Sequence, residues 1–524
     1  MKVLVSDPIA ENGMSILKYA GIEVHYLPEE SIEEKKLACK DMHGWIIRSG
    51  TRITADMIAG ADSLQVIGRA GVGVDNIDIP AATRKGVLVM NTPDVNTTSA
   101  AEHTVALMLA LARNIPRGHG GIIQGQWNRN KLVGSELRNK ILGIIGLGKI
   151  GRKVIQYCRS FNMRILGHDP YVTQDSFHLD EVEIVDLDEL TKSADYITFH
   201  VPLTDSTRDL FDYQQFCKMK PSARIINVAR GGIINEIDLA KVLEDGKIAG
   251  AAIDVFKDEP LDKNSPLIKA PNVVLTPHLG ASTAEAKKGI STAICKQVRD
   301  YLLHGKLMNA LNMPFTDLGK LNELQFALSL AELLGKIQAQ VTSGVISCIT
   351  LECSGITGEI KPISLAFVKS LLQTRVAERI NYINAETVVK ELDIELNVQY
   401  STTESNFSNL ISTRVVAETT TRIDGSVFDD NNVRLVNLFG HEMEVIPHGT
   451  LLFVENIDVP GVIGKVGTLL GDAGINIAAY LLSRKNHSGN AFAVIRLDST
   501  IPETILISLE SLNEIQTIHR IEID

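Results

Sequence analysis

Arg230, Glu259 and His278 lie in three short segments, Asn227-Val-Ala-Arg-Gly-Gly232, Asp254-Val-Phe-Lys-Asp-Glu-Pro260 and Thr276-Pro-His-Leu-Gly-Ala-Ser-Thr283. A guanidinium, a carboxylate and an imidazole together suit oxidation of a secondary alcohol. That reaction needs a base for the hydroxyl proton, a cation to hold a carboxylate and polarise the developing carbonyl, and a redox cofactor beside the carbon that loses hydride. His278 fits the base, since imidazole exchanges a proton near neutral pH. Glu259 would orient the ring and favour its charged form. Arg230 offers a planar fork of donors that matches a carboxylate and cannot lose its charge.

The elements that must position these groups are written around them. Each segment follows an apolar, β-branched run such as Arg224-Ile-Ile-Asn-Val228, and residues at the carboxyl ends of strands in an open α/β sheet line its ligand crevice. Upstream stands Gly146-Leu-Gly-Lys-Ile-Gly151, with a strand-like run before it (Lys140 to Ile145) and a helical one after it (Arg152 to Phe161). A second strand, Met163 to Leu166, ends at Asp169, eighteen residues beyond Gly151. This is the context required of a dinucleotide fingerprint. Gly146 and Gly148 let the backbone turn against a pyrophosphate, Gly151 lets helix and strand pack closely, and the N–H groups around Lys149 and Ile150 face the anion. A carboxylate at Asp169 would accept from ribose hydroxyls and repel a 2′-phosphate, so NAD is expected rather than NADP.

Composition sets limits. The chain has 524 residues, 44% of them hydrophobic, and a formal charge of −11. That length asks for three or four domains, and that charge argues against non-specific binding to nucleic acid or anionic membrane. Six scattered cysteines without metal-ligand spacing suggest reduced thiols in a cytoplasmic protein with no metal site. No segment approaches eighteen uninterrupted apolar residues, and the N-terminus has no signal-peptide core. Strand and helix patterns alternate over residues 1 to about 95, as in a parallel sheet. Ser99 to Arg113 reads as a buried helix, Ala284 to His304 as a helix returning to the first unit, and Gly305 to Pro314 as a linker.

With Gly68-Arg-Ala-Gly-Val-Gly-Val-Asp-Asn76, Asn91-Thr-Pro93 and the four segments above in this order, residues 1 to about 310 resemble the D-isomer-specific 2-hydroxyacid dehydrogenases, and within them the branch that oxidises D-3-phosphoglycerate at the start of serine biosynthesis. The resemblance implies an α/β fold of two Rossmann-like doubly wound units, a substrate unit from residues 1–98 and 284–310 and an NAD unit from 99–283. It assigns the base, orienting and carboxylate-holding roles to His278, Glu259 and Arg230. It places Thr92, His200, Val201, Pro202, Thr207, Ala229, Asp254 and Gly280 against NAD. Arg48, Ser49, Arg69, Gly71 and Val72 would take the phosphorylated substrate, while Arg129 and Lys131 would reach a neighbouring subunit of a homodimer or homotetramer.

Residues 450 to 524 read strand, helix, strand, strand, helix, strand, the order of a ferredoxin-like sandwich. Asp458-Val-Pro-Gly461, Gly464-Lys-Val-Gly467 and Gly474-Ile-Asn-Ile477 resemble an ACT module, here taken as 449–524, with Asp458 and Asn476 implied as serine ligands. Asn456 departs from the aromatic residue of some serine-sensing relatives, so a purely dimerising module stays open. Residues 316–448 read as an intervening α+β regulatory region, with a helix from Leu321 to Val341 and a hairpin turning at Asp424-Gly425. Its basic residues form either an allosteric anion site or a solvated surface. Two other readings of the chain are a dehydrogenase of another D-2-hydroxy acid and a non-catalytic NAD-sensing binding protein.

Overall fold

The computed structural model describes residues 1–178, 181–315, 324–355, 360–402, 407, 409–428, 432–484 and 489–523. The expected helix start at Leu321 lies outside them. Among the described residues, four sheets organise the fold. In the first, β1 (Lys2–Val5), β2 (Glu23–Tyr26), β3 (Gly44–Ile47), β4 (Val66–Arg69) and β5 (Leu88–Met90) run parallel in the order β2-β1-β3-β4-β5. Helices cover both faces, which is why the inner strands are continuously apolar. The Ala284–His304 helix returns to this sheet, burying Ile290, Ile294 and Val298 among Val3, Ile46 and Val66.

The second sheet has seven parallel strands: β6 (Ile141–Ile145), β7 (Arg164–His168), β8 (Glu183–Ile184), β9 (Tyr196–Phe199), β10 (Arg224–Asn227), β11 (Gly250–Ile253) and β12 (Val273–Leu275), in the order β12-β11-β10-β9-β6-β7-β8. Strand order reverses at β6, between β7 and β9, and the glycine turn follows β6. An open α/β sheet leaves its ligand crevice at such a switch point.

Gly305 to Pro314, expected as a linker, is docked on the first sheet. Leu311 N–H donates to Val89 O (2.9 Å), and the Asn312 side chain accepts from Val89 N–H and donates to Val87 O (both 2.9 Å). These bonds satisfy the free edge of β5, which would otherwise present unpaired backbone groups. The side-chain amide of one asparagine does this across more than two hundred residues of sequence, so no local pattern announces it.

The third sheet comprises β13 (Cys348–Ser354), β14 (Glu395–Ser401), β15 (Leu410–Val416), β16 (Thr420–Val427), β17 (Val433–Leu438) and β18 (His441–Val445). The hairpin expected at Asp424-Gly425 is not there. The chain reverses at Ala417 to Thr419, and β16 runs straight through Asp424 and Gly425, with only a bulge against β17. Gly425 serves a close approach: a Cβ there would lie 2.6 Å from Leu330 Cδ1 on the Gln325–Val341 helix. Asp424 is buried and bonded to Ser412 Oγ (2.6 Å) and Arg422 (2.8 Å). A turn-like dipeptide was overridden by a helix packing from outside the segment.

The last sheet is antiparallel, β19 (Gly449–Ile457), β20 (Ile477–Arg484), β21 (Asn490–Leu497) and β22 (Ile515–Ile523), in the ferredoxin-like order β20-β21-β19-β22. One face packs on its own helices through Leu452, Val454 and Ile495. The other, with Leu451, Phe453, Phe492 and Val494, joins the core of the preceding region. His441, buried and stacked on Phe492 at 5.1 Å, belongs to that seam.

Candidate active site

Parallel register brings the three chemical segments together. Asn227 pairs with Ile253, and Ile253 with Leu275, so the chain leaves β10, β11 and β12 side by side, toward Arg230, Glu259 and His278. From the facing unit, Ile47 pairs with Arg69, which sends Arg48 and Arg69 off adjacent strands. Between the units lies a cavity of about 710 Å³ lined by Arg48, Ser49, Arg69, Gly71, Val72, Arg230, Glu259 and His278 among others. That size suits a small ligand.

His278 Nδ1 lies 2.7 Å from Glu259 Oε2, and Glu259 Oε1 accepts from Phe256 N–H at 3.1 Å. Burial pushes the Glu259 carboxyl up, but the bonds from His278 and Phe256 N–H outweigh it and hold the group below its ordinary range. Glu259 is therefore ionised near neutral pH and accepts, so Nδ1 carries the hydrogen of the pair and Nε2 is the nitrogen left facing away from Glu259.

His278 sits at φ +53°, a left-handed conformation that costs a residue other than glycine on the order of 1–3 kcal/mol. Asp254 holds it there. The Asp254 backbone carbonyl accepts from His278 N–H (2.9 Å), and its buried carboxylate accepts from Thr276 Oγ1 (2.6 Å), Leu279 N–H (2.8 Å) and Gly280 N–H (2.9 Å). Burial acts to raise this carboxyl, yet its donors, His103 first, keep it lower than an ordinary aspartate. Expected as a cofactor contact, Asp254 spends its side chain on the loop that carries His278.

The cavity is strongly cationic. Arg69 is mostly buried, its Nε finds no hydrogen-bond partner, and burial together with Arg230 and Arg48 nearby pushes its guanidinium down to about 10. Arg230 Nε reaches Asp75 at 3.3 Å. Glycines make room for the two guanidinium groups: a Cβ on Gly71 would lie 1.5 Å from Arg69 Nη1, and one on Gly73 2.2 Å from Arg230 Nη2. Crowded guanidiniums that outnumber the acids lining the cavity, Asp75 and Glu259, suit an anion of more than one charge.

Sequence reasoning missed Arg52, Asp75, Asn76, Asn96 and Lys257, all of which line the cavity. Asp75, Asn76 and Lys257 lay inside quoted motifs. Asn76 supports the arginine loop, donating to Arg48 O (2.7 Å) and Thr51 O (2.6 Å). Arg129 and Lys131 do not reach the cavity of their own chain; both are exposed on the short helical turn Arg129–Lys131.

The cofactor crevice is shaped by the glycine turn. A Cβ on Gly146 would lie 2.5 Å from His200 O and one on Gly151 2.2 Å from Gly146 O, whereas Gly148 faces open space ahead of the Lys149–Arg159 helix. The N-terminus of that helix therefore has room for a pyrophosphate. Lys149 pairs with Asp94. Asp169 accepts from Leu147 N–H (2.9 Å) and Tyr171 N–H (3.0 Å), which fixes its carboxylate beside the turn. Burial pushes His200 down to about 3, so it stays neutral. Thr92 is buried, its N–H donating to Gly71 O (2.9 Å), and Thr207 Oγ1 donates to Pro202 O (2.7 Å) in the loop after Val201. Ala229 N–H is held by Asn227 Oδ1 (3.0 Å). These residues fit NAD. Replacing Asp169 with alanine is expected to lower kcat/KM for NAD by roughly tenfold to a hundredfold, the loss of one or two hydrogen bonds to a charged group, while that for NADP holds or rises. Steady-state rates with both cofactors check this, and an unchanged preference would refute the ribose role.

Among the described residues, no cluster of three acidic, histidine or cysteine side chains could hold a metal ion, and no helix is long and apolar enough to cross a membrane.

Comparison with known proteins agrees with this geometry. Residues 105–280 match the model of the D-isomer specific 2-hydroxyacid dehydrogenase NAD binding domain, and 323–439 that of the D-3-phosphoglycerate dehydrogenase intervening domain. The chain is 41% identical to D-3-phosphoglycerate dehydrogenase of Methanocaldococcus jannaschii, covering 99% of each chain, and 34% identical to that of Bacillus subtilis, covering 100% of this chain and 99% of the other. Among solved structures, NAD-dependent formate dehydrogenase from Staphylococcus aureus in complex with NAD superposes with a TM-score of 0.55 at 30% identity, over 59% of this chain and 99% of that one. With the switch-point glycine turn, the His278–Glu259 pair and the arginine-lined cavity on one scaffold, this chain belongs to the D-3-phosphoglycerate dehydrogenase family of D-isomer-specific 2-hydroxyacid dehydrogenases.

Proposed function

We propose that this chain oxidises D-3-phosphoglycerate to 3-phosphohydroxypyruvate, with Arg230, Glu259 and His278 as the chemical groups. The observation that carries the reading is the His278–Glu259 pair, 2.7 Å apart, opening into the cavity that also holds Arg48, Arg69 and Arg230. NAD, when bound, supplies the acceptor for the hydride of C2. His278 Nε2 takes the proton of the C2 hydroxyl, and Glu259 compensates the imidazolium that results. Arg230 holds the substrate carboxylate and polarises the new carbonyl. Arg48, Arg69 and Ser49, with the N–H groups around Gly71 and Val72, hold the phosphate, whose charge near neutral pH approaches two.

The substrate unit is assigned to 1–98 with 284–310 and the NAD unit to 99–283, because each span closes on one of the two parallel sheets. The intervening and ACT regions, 316–448 and 449–524, share one core. A homodimer or homotetramer is supported by apolar side chains exposed between Ile115 and Val133, with Trp127 83% exposed, next to Arg129 and Lys131. Those two cations would complete a neighbouring subunit's site.

For serine as effector, the single chain sets a constraint. Asp458 lies at the Asn490 end of β21 and pairs with Arg484, whereas Asn476 lies at the Leu497 end and pairs with Asp498. Eight residues of strand separate the ends by about 23 Å, so one chain cannot bring both to one serine. Antiparallel pairing of two β20 edges would carry one copy's Asn476 to the other's Arg484 and Asp458, which favours a seam site. The reaction in a reduced cytoplasm fits thiols such as Cys158 and Cys295, which burial pushes up to about 12.

The test is a panel of D-2-hydroxy acids with NAD, read as NADH formation with and without serine. D-3-phosphoglycerate is expected to have the highest kcat/KM, by at least about tenfold over unphosphorylated acids, since each phosphate–arginine bond contributes about 1.5–3 kcal/mol. Preference for an unphosphorylated acid would favour another substrate. NADH binding without turnover of any acid would favour a sensing protein.

A further inference from the structure

Asp254, the aspartate behind the catalytic loop, has one partner that no step of the reaction uses. His103, on the Thr97–Ala112 helix, places Nε2 3.1 Å from Asp254 Oδ1 and 3.4 Å from Thr276 Oγ1. Its side chain is 18% exposed, and that of Asp254 is fully buried. A carboxylate oxygen only accepts, so Nε2 carries the hydrogen and the bond is charge-assisted. Thr276 donates its own hydroxyl hydrogen to the same oxygen at 2.6 Å. The remaining donors to the Asp254 carboxylate, Leu279 N–H and Gly280 N–H, directly follow His278, whose left-handed backbone would relax if they let go.

We propose that His103 is a positioning residue for His278, acting through Asp254. Resting on the reading of His278 as the base, the inference assigns His103 no contact with substrate. The Thr97–Ala112 helix packs against β10, β11 and β12, the strands that deliver the three chemical groups. Through His103 that helix is tied to the loop after β12 by a side chain rather than by the chain path. Without the imidazole, Oδ1 loses one of three donors, and the 276–280 loop is free to shift. A base displaced by about 1 Å loses on the order of a hundredfold in rate, while substrate held by Arg48, Arg69 and Arg230 binds as before.

His103→Ala is therefore expected to lower kcat by roughly tenfold to a hundredfold with KM for phosphoglycerate and NAD within about threefold, a split that marks loss of transition-state stabilisation alone. His103→Gln, which returns an N–H donor, is expected to recover most of it. Amide hydrogen exchange of the 276–283 segment reads the loop without activity and is expected to speed up by about tenfold in the alanine variant. His278→Asn in the same assay separates the two ideas. If it stays active, the base assignment fails whatever the exchange shows. If it is inactive but His103→Ala keeps kcat within twofold, or leaves exchange unchanged, the inference is wrong. Should the alanine protein not fold, His103→Gln with wild-type kcat and exchange supports the donor role, and His103→Gln with slow turnover and fast exchange overturns it.

Discussion

His278→Ala is expected to abolish most turnover, lowering kcat by about a thousandfold, the usual contribution of a positioned acid–base group, with KM for D-3-phosphoglycerate within a few-fold. The same protein should lose the acid limb of the pH–rate profile. In the proposed reaction the base must be a neutral imidazole, so kcat/KM should fall on the acid side, where a charged ring cannot take the proton. Glu259 does not set that limb. Its carboxyl is held below the ordinary range by His278 and Phe256 N–H, so it is already ionised near neutral pH. Stopped-flow measurement of NADH formation over a pH series checks both parts. A variant that keeps more than a tenth of the rate, or keeps the same acid limb, would show that the proton goes elsewhere.

Arg230→Ala should cost more in kcat/KM than in kcat, by roughly a thousandfold, because in the proposed reaction the guanidinium would both bind the carboxylate and stabilise charge on the forming carbonyl. Arg230→Lys should recover little. The site is built for a flat fork: Gly73 leaves no room for a Cβ beside Nη2, Nη1 is spent on Ala229 O at 2.7 Å, and Nε faces Asp75. An ammonium cannot reproduce those three directions. Added guanidinium ion should partly restore the alanine variant and not the lysine variant. If lysine works within about fivefold of arginine, charge alone suffices and the geometric argument falls. Arg69 should behave differently. Its substitution is expected to raise KM for phosphoglycerate and spare unphosphorylated acids, since its proposed role is to hold the phosphate rather than to act on the reacting carbon.

Local sequence settled a large part of this molecule. The glycine turn, the strand before it and the helix after it depend on residues within a few positions of one another, and their expected spans lie within a few residues of those observed. So do the strand-length runs that carry Arg230, Glu259 and His278 to one edge, because parallel strands of similar length end together. The order of elements after residue 449 was readable for the same reason: apolar alternation and helical periodicity are short-range signals.

Tertiary structure decided the rest. Asp424-Gly425 has turn chemistry by composition, and only the approach of Leu330 makes it the interior of a strand. Gly305 to Pro314 reads as a connector, and only the unpaired edge of β5 turns Asn312 into a brace. Asp458 and Asn476 look like one binding set until the strand order puts β21 lengthwise between them. His103 is an ordinary polar residue on an apolar helix until β11 brings Asp254 beneath it. In each case the deciding partner is distant in sequence, and the energy that selects the outcome comes from satisfying a buried polar group or filling a close contact, neither of which exists before the chain has folded.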